Sequence, residues 1–147
     1  MKPYSMSRES AMGEFYGWYE SAEKYIEAAA GEHLTSHPQI ALTYLQMAAE
    51  FTFKAAIVSI SGRSLPSRNP YVLSTRCRRL VPGLQAAARI YSPKKQALLC
   101  FLDPICVGNN PVLPAPKQWI QLLRLVKQLH QVMEELGRKR IDAVFHG

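Results

Sequence analysis

The chain is 147 residues long, 48% hydrophobic, and carries a formal net charge of +7 at neutral pH. A length of this order suits one domain that buries roughly two-thirds of its unfolded surface, so no metal or disulfide staple is required and no cofactor is expected. No stretch approaches the ~20 uninterrupted apolar residues that cross a bilayer, and the polar Met1 to Ser10 segment lacks the apolar region of a signal peptide; the expectation is a cytoplasmic protein with no membrane partner.

The three cysteines, Cys77, Cys100 and Cys106, are odd in number and show no CxxC spacing. That argues against a disulfide framework and against a zinc knuckle, and leaves reduced, buried thiols as the expectation. The charge is unevenly placed. Residues 1–61 hold 4 Lys/Arg and 7 Asp/Glu, a net −3, whereas residues 62–147 hold 14 and 4, a net +10. Such asymmetry points to an anionic partner for the C-terminal half without saying whether it is RNA, DNA, a nucleotide or an acidic protein surface.

The first helix is predicted from about Arg8 to Ala30, with Ser7 as N-cap and Gly31 as the stop. Met12, Phe15, Tyr19, Ala22, Ile26 and Ala29 recur at spacings of three and four and make one apolar face, widened by Trp18 and Tyr25, with Glu20, Glu23, Lys24 and Glu27 opposite. A second helix is predicted from Pro38, whose missing N–H suits a first helical position, to Ser61 before Gly62. Its polar residues Gln39, Thr43, Gln46, Glu50 and Lys54 collapse onto one strip, and the rest of the cylinder is largely apolar. A helix of that kind is central, with neighbours on several sides. Ala41, Ala48 and Ala55 add a small-residue seam for a close-packed neighbour.

A third helical region opens at Pro70, with Asn69 as cap, breaks at Val81-Pro82-Gly83 and resumes over Leu84 to Tyr91. A short helix follows from Pro93 to about Leu102, capped by Ser92. The run from Asp103 to Ala115, rich in Pro, Gly and Asn, reads as a loop. The last long helix is predicted over Pro116 to Leu136, ending at Gly137. Its apolar face is Trp119, Leu122, Val126, Leu129, Met133 and Leu136, and its polar face Gln121, Arg124, Gln128, Gln131 and Glu135. Beyond it, residues 139–147 form a tail that can dock or fray. Without any series of alternating strands, the fold class is all-α, an up-down bundle of four to five helices in a single domain spanning residues 1–147.

The segment from Leu45 to Ile57 resembles the second helix of HEPN domains, the "higher eukaryotes and prokaryotes nucleotide-binding" family. Gln46, Ala49, Glu50, Lys54 and Ala55 match the pattern of a Gln, then Ala-Glu, then Lys-Ala on an Ala-rich helix. Trp18 and Ala22 on the first helix, and Gly62-Arg63-Ser64-Leu65-Pro66 after the second, are similar to family features too. Where family members often place a His before the third helix, this chain has Ser67-Arg68-Asn69-Pro70. The likeness covers roughly residues 11–84 and is architectural beyond. It implies a HEPN-like bundle, a homodimer, an accessory role beside a nucleotidyltransferase-type partner protein, and a nucleotide or RNA as ligand.

Active HEPN ribonucleases carry an Arg-x(4–6)-His motif, with the guanidinium on the scissile phosphate and the imidazole handling a proton or orienting the 2′-hydroxyl. Two segments satisfy the bare spacing, Arg124-x5-His130 and Arg140-x5-His146, a yield that chance alone supplies roughly once. On an ideal helix Arg124 and His130 lie about 120° apart, and the pair reads as solvated surface. Arg140 and His146 lie later than the family's motif. If the chain is a metal-independent, toxin-like ribonuclease, these two are its candidate catalytic residues, shared across a dimer; otherwise it has none.

Three further groups have two readings each. Arg76, Arg78 and Arg79 with Lys94 and Lys95 are either a solvated basic face or a phosphate site for a nucleotide or nucleic acid. No aromatic RNA-binding motif, recognition-helix signature or Gly-rich phosphate loop accompanies them, so sequence-specific reading is not expected. Gln46, Glu50 and Lys54 are either a surface strip with one i,i+4 ion pair or a line facing a dimer partner or ligand groove. Glu32, His33 and His37 have a His-x3-His spacing, but Gly31 and Pro38 place them in a turn without a third ligand, so no metal is expected. The primary functional expectation is a non-catalytic binding module for a nucleotide, RNA or partner protein; a ribonuclease and a purely structural helical adaptor are the alternatives.

Overall fold

A computed structural model of the chain describes residues 7–34, 37–61, 98, 101–102 and 114–146. The described residues form three α-helices and no strand: α1 (Arg8–Leu34), α2 (Pro38–Ser61) and α3 (Pro116–His146). None of these helices is long and apolar enough to cross a membrane. The predicted region 70–91 lies outside the described residues, as does most of the short helix at 93–102. Of the latter, Leu98 is helical and buried, Leu102 is buried, and the Phe101 amide donates to the Leu98 carbonyl at 3.1 Å.

Helix starts follow the expected chemistry. At α1 the Ser7 hydroxyl accepts from the Ser10 amide at 3.2 Å, and the Ser7 carbonyl accepts from Ala11 at 2.9 Å, which satisfies donors that otherwise have no intrahelical partner. At α2 the first backbone bond runs from Ala41 to the His37 carbonyl, with Pro38 in the position that needs no donor. At α3 the Gln118 side chain reaches back to accept from the Ala115 amide at 2.8 Å, the return half of a capping box.

Helix ends differ from the sequence expectation at both glycines. Gly31 does not stop α1, which runs on to Leu34. Gly137 does not stop α3, which continues for nine residues to His146, so residues 139–146 are helix and no fraying tail. The reason at Gly137 is packing. A Cβ built there would lie 2.2 Å from Phe15 Cε2 and 2.5 Å from Phe15 Cζ, so α1 and α3 approach too closely at this level for any side chain. One turn further on, Ile141 is fully buried, and Asp142 accepts from Arg8 Nη2 at 2.8 Å. The buried stripe therefore steps Met133, Gly137, Ile141, and Leu136, expected inside, is exposed.

These two glycines give opposite predictions. Gly31→Ala puts a methyl into open space on an exposed helical position and should stabilise the chain by about 0.5–1 kcal/mol through helix propensity. Gly137→Ala gains the same propensity but drives Phe15 aside, and should be net destabilising by about 1–2 kcal/mol. Thermal or urea unfolding of the two variants checks the sign.

Contacts fix the directions of the helices. Trp18 meets Phe51 and Lys54 while Tyr25 meets Tyr44, so α1 and α2 are antiparallel. Arg8 meets Asp142, Tyr16 meets Glu134 and Tyr19 meets His130, so α1 and α3 are antiparallel too. α2 and α3 then run parallel. One continuous core joins the helices through Phe15, Ile26 and Ala29 of α1, Leu45 and Val58 of α2, and Trp119, Leu122, Val126 and Ile141 of α3. The Ala41, Ala48 and Ala55 seam is wholly buried. The buried hydroxyls of Thr52 and Ser59 donate to the Ala48 and Ala56 carbonyls, so they cost little inside the core.

Candidate functional site

The polar strip of α2 turns inward along its length. Gln39 and Thr43 are exposed, Gln46 and Glu50 half-buried, and Lys54 only 7% exposed. Gln46 Nε2 donates to the Phe101 carbonyl at 3.0 Å and ties the 98–102 segment to α2. The Lys54 ammonium lies 4.4 Å from the centre of the Trp18 ring and 5.3 Å from that of Phe51, within range of a cation–π attraction. Trp18 is itself fixed: its indole N–H donates to Glu14 Oε2 at 3.1 Å, and its ring stacks on Phe51 at 5.4 Å. Tyr25 extends the row, 5.5 Å from Phe51 and 5.7 Å from Tyr44. The expected Glu50–Lys54 ion pair is not among the contacts of the described residues. An apolar environment rewards an ammonium over an indole face more than a partner across water does.

A second polar node lies between α1 and α3. His130, read from the sequence as solvated surface, is 5% exposed. Its ring stacks on Tyr19 with centroids 3.8 Å apart, and its Nε2 hydrogen bonds to the Tyr19 carbonyl at 2.9 Å, donating because a carbonyl can only accept. Arg124 is exposed, so the two halves of that Arg-x5-His match are separated and the imidazole is already engaged. The signal missed was the spacing 126, 130, 133, 137, 141, which carries the buried stripe straight through His130.

Beside it the Tyr16 hydroxyl donates to Glu134 Oε1 at 2.8 Å. Burial first, and the Glu134 hydrogen bond and charge second, push the Tyr16 phenol up to about 12. Between pH 10 and 12 the folded chain therefore holds a proton that the unfolded chain releases. The Tyr16 contribution to stability is complete below pH 10 and fades as pH rises to 12. In an absorbance titration of the seven tyrosines, one is expected to ionise near pH 12, to move to about 10 in urea, and to vanish in Tyr16→Phe.

The third feature is the outer face of α3. All six of its cations, Lys117, Arg124, Lys127, Arg138, Lys139 and Arg140, are exposed. Glu134 lies 3.5 Å from Arg138 and Glu135 2.9 Å from Lys139, and Asp142 is taken by Arg8. The acidic residues of α3 all fall after Met133. From Pro116 to Met133 the helix has three cations and no acidic residue. Lys117, Arg124 and Gln131 are spaced by seven and drift only ~20° per step, so they share one line, with Lys127 about 60° to its side.

Of the residues singled out from the sequence, Arg76, Arg78, Arg79, Lys94 and Lys95 lie outside the described residues. So do the side chains of Glu32, His33 and His146. His37 is exposed, and among the described residues no three His, Cys, Asp or Glu side chains converge on a point that could hold a metal. Arg140 and His146 stand on one continuous helix, where positions six apart are about 9 Å apart along the axis and about 120° apart around it. No protein-family model, curated protein or solved structure matches the chain.

Proposed function

We propose that this chain is a HEPN-like, non-catalytic module that binds RNA through its basic half. The observation that carries the reading is the cationic outer face of α3, on which every Lys and Arg side chain is exposed and whose first eighteen residues carry no acidic side chain. Clustered cations gain affinity for a polyphosphate by releasing its condensed counterions, independently of base sequence. The basic residues Arg76, Arg78, Arg79, Lys94 and Lys95 belong to the same basic half of the sequence and are the proposed nucleotide or nucleic-acid contacts on the intervening segment.

The residues behind the family likeness support a fold signature more than a reactive site. Ala49 and Ala55 are buried, Gln46 holds the 98–102 segment, and Lys54 sits on Trp18. A homodimer and a nucleotidyltransferase-type partner protein are the associations that go with this reading. Against a ribonuclease site within one chain, the only His in α3 with a described side chain is locked on Tyr19. Purified chain incubated with RNA in a metal chelator should leave the RNA intact on a denaturing gel. Cleavage that disappears in His146→Ala would overturn the non-catalytic part of the proposal.

A further inference from the structure

We infer that the first half of α3 is itself the phosphate-backbone contact, with Lys117, Arg124 and Lys127 each on a phosphate and Gln121 and Gln131 beside them. This rests on the RNA-binding reading and names its surface. Four observations select this face. The three cations are exposed and have no acidic partner among the described residues, unlike Arg138, Lys139 and Arg8, which are each held by a carboxylate. They span ten residues of one rigid helix, about 15 Å, so their spacing is preset and little order is lost on binding. The same helix packs its apolar side into the core through Trp119, Leu122, Val126 and Leu129, which fixes the charged side toward solvent.

The fourth observation concerns the neutral residues between the cations. Apart from Ile120, the neutral residues of this exposed face are glutamines, whose amides both donate and accept, as phosphate and ribose hydroxyl groups require. A lipid surface would want apolar side chains among the cations, and only Ile120 is there.

The test uses the whole chain and a fluorescein-labelled single-stranded RNA, titrated at several salt concentrations. Three single-strand phosphate contacts contribute about 2 to the slope of log affinity against log salt. Lys117→Gln, Arg124→Gln and Lys127→Gln combined should therefore lower that slope by about 2 and weaken binding about a hundredfold at ~0.1 M salt. Because all three sites are exposed, the helical signal and melting temperature should be unchanged. Lys117→Arg with Lys127→Arg should keep wild-type affinity, which separates charge from fold.

If the wild-type chain binds RNA and the triple variant binds within about threefold of it, the surface is elsewhere and the inference is overturned while the RNA reading stands. Loss of binding in Arg76→Gln, Arg78→Gln, Arg79→Gln alone would then locate it. If the wild-type chain binds no RNA, both fail together. Poly-glutamate that displaces the RNA as strongly per charge overturns the inference in favour of an acidic protein partner.

Discussion

Replacing Phe15 with alanine is expected to remove about 3–5 kcal/mol of stability. Phe15 is fully buried, and its ring lies against the bare backbone of Gly137, edge-on to Tyr16 at 5.1 Å and stacked near Tyr19 at 6.3 Å. Truncation leaves a cavity where the ring fills the space beside Gly137, and two helices tied together along their length cannot easily collapse onto it. A chain of this size has about 5–15 kcal/mol to lose, so the variant should unfold at much lower urea. A midpoint within experimental error of wild type would mean that the α1–α3 contact is absent in solution.

The second large effect concerns the C-terminal turns of α3. A chain ending at Gly137 should be destabilised by at least as much as Ile141→Ala, which is expected to cost about 2–5 kcal/mol because Ile141 is fully buried in the shared core. Loss of the Arg8–Asp142 pair adds little, about 0–1 kcal/mol, since both side chains are over a third exposed. Were residues 138–147 a frayed tail, as the glycine at 137 suggests on sequence grounds, both changes would be nearly silent. Urea unfolding followed by circular dichroism distinguishes the two outcomes directly.

That contrast shows which features a sequence carries by itself. Ser7, Pro38 and the three-and-four spacing of Phe15, Ala22, Ile26 and Ala29 act through local chemistry, and each placed its helix start or buried face correctly. Gly31 and Gly137 look alike in sequence because glycine serves equally as a helix stop and as a gap for a neighbour. Only the position of Phe15 on another helix decides between them.

The site was less legible for the same reason. Lys54 reads as one half of a surface ion pair with Glu50 until Trp18 of α1 is laid across it. His130 reads as surface until Tyr19 covers it, although its place on the buried stripe was visible. The charge imbalance between the two halves was plain, but its concentration on one acid-free stretch of α3 required knowing which side of that helix faces the core.

The central claim, a rigid helical module that binds RNA by charge without cutting it, is tested most directly by the salt dependence of RNA binding to the wild-type chain. The expected result is a linear fall of log affinity with log salt, steeper than −2, with the RNA recovered intact at each point. No binding at ~50 mM salt, or an affinity indifferent to salt, would contradict it.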